Sequence, residues 1–191
     1  ENYFDMEYIA GKSFEDFFSM ASVNDVEFVV STLFDYFDTL ISTARNIDAT
    51  KQILDKLDSL KEKSSYPKYI EFLRKYVEDK RIIVPHTFCH GDLTFANIIF
   101  HQNRLFFIDF LDCYVDTFLS DLVKLKQDLH HLWAVRNQDV YTNRIHQIYE
   151  YIWDKLEVRY ADYMTDSFHI LDVINALRIE PYLTSDSQRV I

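Results

Sequence analysis

One stretch of the chain, Cys89-His90-Gly91-Asp92-Leu93-Thr94-Phe95-Ala96-Asn97, is followed after an apolar hairpin pattern by Ile108-Asp109-Phe110. It presents an acid, then an amide, then a second acid at the end of an apolar run. A carboxylate can orient an attacking hydroxyl or accept its proton, while an amide oxygen and a further carboxylate are hard ligands suited to magnesium. Those are the requirements of phosphoryl transfer from a nucleoside triphosphate, where catalysis is mostly positioning and charge neutralisation. Asp92 suits the first role; Asn97 and Asp109 suit the second, as metal ligands. His90 belongs to the same catalytic segment and reads as a brace for the loop rather than as a proton acceptor. Gly91 permits a tight turn.

Such groups need a rigid frame. Ser13 stands as an N-cap before Glu15 and Asp16, which favour a helix start. Val26, Val29, Val30, Leu33, Phe34, Phe37, Leu40 and Ile41 recur at helical steps, and Ile53, Leu54, Leu57 and Leu60 suggest a further helix. Pro67 at a first-turn position opens the next, through Ile70, Leu73, Tyr76 and Val77. Ile82 to Val84 is β-branched and interrupted by Pro85. Ile98-Ile99-Phe100 and Leu105-Phe106-Phe107-Ile108, around His101-Gln102-Asn103-Arg104, read as a β-hairpin with a four-residue turn. Helical spacing returns through Leu119, Leu122 and Leu125, then from Tyr141 to Leu156, and last through Phe168, Leu171, Ile174 and Leu177. The expectation is an α+β protein, mainly α, with a small central β-hairpin.

The interval from Asp92 to Asn97 equals that in the protein-kinase catalytic loop H-R-D-L-x-x-x-N, and Asp109-Phe110 falls where D-F-G would follow. His90-Gly91-Asp92 with Asn97, then Ile108-Asp109-Phe110, resembles the H-G-D-x-x-x-x-N and I-D-F motifs of the aminoglycoside phosphotransferase and choline kinase group. Met6-Glu7-Tyr8-Ile9-Ala10-Gly11-Lys12-Ser13-Phe14 is similar to that group's hinge, which implies adenine contacts from the backbone of Glu7, Tyr8 and Ile9. Asp121-Leu122 resembles its downstream Asp-Leu pair, implying that Asp121 supports the loop through backbone hydrogen bonds. Leu177-Arg178-Ile179 with Pro181-Tyr182-Leu183 is similar to its late helix. The resemblance implies a protein-kinase-like C-terminal lobe that uses ATP and magnesium. Within it, residues 1–12 form a hinge-like segment, 13–80 a helical part, 81–112 the catalytic loop and hairpin, and 113–191 a helical substrate subdomain. The phosphate-covering loop and V-A-I-K-like strand of an N-terminal lobe do not occur in these 191 residues. The isolated chain is therefore expected to transfer phosphate weakly or not at all.

A formal net charge of −11 argues against nucleic-acid binding, which needs a basic surface. Two cysteines are too few for a disulfide scaffold, and with no apolar run of membrane-spanning length the expected setting is the cytoplasm. His86, Cys89, His90 and Asp92 offer zinc-ligand types but no finger-like second pair, and Cys89 reads as a small buried residue rather than a nucleophile. The expected acceptor is a hydroxyl of an amino sugar, sugar or choline-like alcohol. Asp112, Trp133, Glu180 and Tyr182 are the candidate substrate contacts. Trp153 is a further candidate for an aromatic wall and Asp128 for an amino-sugar partner. A kinase-like binding module without catalysis is the alternative.

Overall fold

Two serines start the helical part of the chain. Ser13 Oγ accepts the Asp16 N–H at 3.3 Å and opens α1 (Phe14–Met20). Ser22 and Asp25 cap each other's backbone and open α2 (Val23–Ser42). In this computed structural model, which describes residues 8–135 and 143–182, there follow β1 (Arg45–Asp48), α3 (Thr50–Lys61) and α4 (Pro67–Glu78). Next come β2 (Ile83–His86), β3 (Ile98–His101) and β4 (Arg104–Phe107), then α5 (Phe118–Leu129), α6 (Asn143–Arg159) and α7 (Asp166–Ile179). The protein is a mainly helical α+β structure with two small antiparallel sheets, β1–β2 and β3–β4.

The 89–97 segment connects these sheets and is held by aromatic packing. Phe95, inside the loop, packs edge-on to Phe18 of α1 at 5.1 Å and stacks on Tyr149 of α6 at 5.5 Å. Phe17 of α1 stacks on Phe100 of β3 at 4.2 Å. These rings are large apolar surfaces removed from water, so the loop is anchored by the core beneath it.

Two details differ from the sequence reading. The hairpin turn has two residues rather than four: His101 pairs with Arg104, and Gln102 and Asn103 both take positive φ, 46° and 56°. That is the backbone of the two-residue turn whose twist matches the strands. The strand near Ile82 extends through Pro85 to His86 and pairs with Arg45–Asp48, a polar strand that carries no alternating pattern. A two-stranded ribbon has only edges, where proline's missing N–H is tolerated. Among the described residues no helix is long and apolar enough to cross a membrane.

The segment before α1 also joins this frame. Lys12 exchanges both backbone hydrogen bonds with Phe100, at 2.8 and 3.1 Å. At Gly11 a Cβ would meet Ile99 Cγ2 at 2.1 Å, so glycine is what lets this strand-like segment lie on the hairpin.

Candidate active site

Helix α5 is buried on nearly every side, yet it carries Asp121, Lys124 and Asp128 on one stripe at steps of three and four. Each of these buried polar groups grips a successive part of the 90–95 loop. Asp121 accepts the His90 N–H at Oδ2 and the Gly91 N–H at Oδ1, both at 2.8 Å, and the Tyr36 hydroxyl of α2 at 2.7 Å. Lys124 Nζ lies 2.9 Å from Asp92 Oδ1. Asp128 accepts the Phe95 N–H at 2.6 Å and the Ala134 N–H at 2.8 Å. The loop therefore runs along the helix and is fixed by it at three levels.

Burial has an electrostatic cost on this stripe. It pushes the Asp121 and Asp128 carboxyls up, Asp128 to about 6, against the backbone donors that favour their charged forms. Lys124 is pushed down, first by burial and then by the nearby Arg178 cation. Tyr36 is raised by burial and by the charge of Asp121, so its hydroxyl stays a donor.

Asp92 shows its two carboxylate oxygens to different neighbours. Oδ2 accepts from Asn97 Nδ2 at 3.2 Å, and the same amide group donates to the Asp92 carbonyl at 2.8 Å. The amide is thus oriented by Asp92, and its Oδ1 remains available as a hard ligand. The strand end is stitched to the loop on either side of Asp109: Ile108 N–H donates to the Asn97 carbonyl at 3.0 Å and Leu111 N–H to the His90 carbonyl at 2.9 Å. Asp109 itself is exposed with φ 59°, and no described residue bonds its carboxylate. Asn97 and Asp109 thus offer an amide oxygen and a carboxylate on adjoining backbone, a donor set that fits magnesium. Gly91 has φ 86°, and a Cβ there would lie 2.1 Å from the Leu111 carbonyl oxygen. His90 is fully buried, with Nδ1 accepting the Asp92 N–H at 3.3 Å and the ring against Phe110 at 4.2 Å.

The model of the phosphotransferase enzyme family matches residues 5–159, most of the chain and all of this loop. The chain belongs to that family. No curated protein and no solved structure matches it. In this phosphotransferase-family chain, a cavity of about 200 Å³ adjoins the loop at Gly91, between α3, α5 and α7. Asp112 lines it, together with Lys56, Lys124 and Arg178.

The remaining expected contacts separate from this cavity. Glu180 is buried elsewhere and accepts the Ser65 N–H at 3.2 Å, lining a different hollow beside Tyr66 and Tyr69. Tyr182 is 69% exposed, and Trp153 belongs to the core. Trp133 lies in the short turn after α5. None of Trp133, Trp153, Glu180 and Tyr182 is in the lining around Lys124. The expectation for Asp128 is corrected: its oxygens are spent on backbone donors of the fold, with nothing exposed for an amino sugar. Tyr8 is exposed and Ile9 half-buried, whereas Glu7 lies outside the described residues.

Among the described residues, His86, Cys89, His90 and Asp92 do not gather as a metal-ligand group. Cys89 instead meets Cys113 and Asp116, with ligand atoms within 4.8 Å of one another. The facing thiol and burial raise Cys89 well above its ordinary pKa, which is the opposite of an activated nucleophile. Sequence reading passed over Tyr36, Lys56 and Lys124, and gave Arg178 no role beyond its place in the late helix. The legible signal for Lys124 was its place three positions after Asp121 and four before Asp128, on one stripe of a helix.

Proposed function

We propose that this chain is the kinase-like C-terminal lobe of an enzyme that transfers the γ-phosphoryl group of ATP, with magnesium, to a hydroxyl of a small molecule. The observation that carries the reading is Asp92, held between Asn97 on Oδ2 and Lys124 on Oδ1 by a loop that α5 fixes at three levels. A rigidly placed carboxylate orients the acceptor hydroxyl and takes its proton as the new P–O bond forms. Asn97 and Asp109 would hold magnesium, which when bound neutralises charge on the phosphate oxygens. His90, buried beneath the loop, positions Asp92 through its backbone rather than touching substrate. Glu7, Tyr8 and Ile9 are assigned to the adenine edge, supported by the pairing of Lys12 with β3 just beyond them.

The test is ATP consumption by the full-length protein carrying Asp92→Ala or Asp109→Ala. Losses of about 10²-fold or more are expected for each, the range of a missing general base or metal ligand. Retained turnover in both variants would end the reading.

A further inference from the structure

A chain with net charge −11 gathers three cations, Lys56, Lys124 and Arg178, around one small cavity beside its proposed base. Only Asp112 among the lining residues opposes them, with Asp92 bonded at the edge. Lys124 is committed to Asp92 at 2.9 Å. Arg178 is not: its guanidinium stands 3.9 Å from Asp92 Oδ1, beyond hydrogen-bond reach, and no described residue accepts from it. Lys56 Nζ lies 5.6 Å from the centre of the Tyr114 ring and forms no ion pair with a described carboxylate. Lys56 and Arg178 therefore line the cavity with donors that no described residue accepts within hydrogen-bond distance, while its third cation is already committed.

Like charges are brought together here at a cost. Burial and the neighbouring cations Arg178 and Lys63 lower Lys56, and Arg178 acts on Lys124 in the same direction. An anion between Lys56 and Arg178 would relieve that repulsion and use the free donors, and a planar guanidinium is well shaped for a carboxylate or phosphate. A quaternary ammonium or amino sugar would meet three positive groups instead. The volume of about 200 Å³ also falls below the usual size of cavities for drug-sized ligands, which favours a compact compound.

We propose that the acceptor is a compact hydroxy compound bearing an anionic group, a carboxylate or a phosphate, seated between Lys56 and Arg178 with its hydroxyl directed at Asp92. This rests on the phosphotransferase reading for the hydroxyl, while the anion seat stands on the cavity alone.

Calorimetric titration of the whole chain with glycerate, glycerol 3-phosphate, glycerol and choline tests the seat without requiring turnover. Glycerate or glycerol 3-phosphate should bind at least tenfold more tightly than glycerol or choline, and whichever of the two binds better identifies the anion. Lys56→Ala and Arg178→Gln should each weaken that binding about tenfold or more, with thermal midpoints changed little because both side chains are only half-buried. Equal binding of glycerol, or unchanged binding in both variants, overturns the proposal. So does competition of these anions with magnesium-ATP, which would assign the cations to the nucleotide. In a parallel phosphorylation assay, turnover of glycerol or choline in preference to the anions would keep the phosphotransferase reading and remove this one. Anion binding with no transfer to any acceptor by the full-length protein would keep the anion seat and remove the phosphotransferase reading.

Discussion

Lys124 Nζ and Asp92 Oδ1 lie 2.9 Å apart, with only 7% of the Lys124 side chain exposed against 30% for Asp92. The lysine is the desolvated partner, so its charge depends on the aspartate more than the reverse. A buried cation that loses its carboxylate is left uncompensated, whereas loss of both partners removes the problem. The pair is therefore a structural element of the loop as well as part of the site, and each role can be measured.

Asp92→Ala should lower stability by about 2 kcal/mol, below the full cost of an orphaned buried charge because Asp92 is partly exposed. Adding Lys124→Met should recover most of that loss. Urea denaturation of the two singles and the double reads the coupling. Additive effects would mean that the pair is not coupled.

Asp121 satisfies two backbone N–H groups and a tyrosine hydroxyl at once. Asp121→Ala strands all three in a buried setting and should cost about 3 kcal/mol or more, whereas Tyr36→Phe removes one neutral donor and should cost about 1 kcal/mol. Denaturant midpoints test the ranking. Activity should follow it, since the same bonds place Asp92.

Asp128 titrates near 6 when folded because it is buried, against 3.8 as its ordinary value. Between those values the folded state holds the proton more firmly than the unfolded chain, so this contribution to stability is present below pH 4 and is lost as pH rises to about 6. A shift of that size corresponds to up to about 3 kcal/mol. Asp128→Asn cannot titrate, and its amide would turn a donor toward either Phe95 N–H or Ala134 N–H. The stability difference between wild type and Asp128→Asn should therefore shrink from pH 4 to pH 6.5. Parallel pH curves from urea titrations would contradict the assignment.

Gly91→Ala should abolish activity and destabilise the fold by about 2 kcal/mol or more, since its Cβ would strike the Leu111 carbonyl at 2.1 Å on a backbone with φ 86°. Gly11→Ala also has a 2.1 Å clash, but the nearest atom is the Ile99 Cγ2 methyl. Its φ carries no left-handed cost, and the side chain can shift. A smaller loss of thermal midpoint is expected for Gly11→Ala, with β3 and the 8–12 segment loosened. Hydrogen exchange at Lys12 and Phe100 would show it.

Much of the architecture is legible because periodicity is local. The helical stripes of α2, α3 and α4, the serine cap of α1 and the paired apolar runs of β3 and β4 are all written within a few turns of chain. The types and spacing of Asp92, Asn97 and Asp109 are equally local, and the family match covers the same segment. What was hidden is whatever depends on contact between distant positions. Arg45–Asp48 has no strand pattern and becomes one only by pairing with Ile83–His86. Trp153 and Glu180 have types that suit a ligand, but packing sends one into the core and the other to a separate hollow. Lys56, Lys124 and Arg178 lie on three helices far apart in sequence, and no local pattern links them. Residue order could determine which groups would perform the transfer; only the packing of α3, α5 and α7 against the loop decided which charges surround them, because an electrostatic environment is a sum over space.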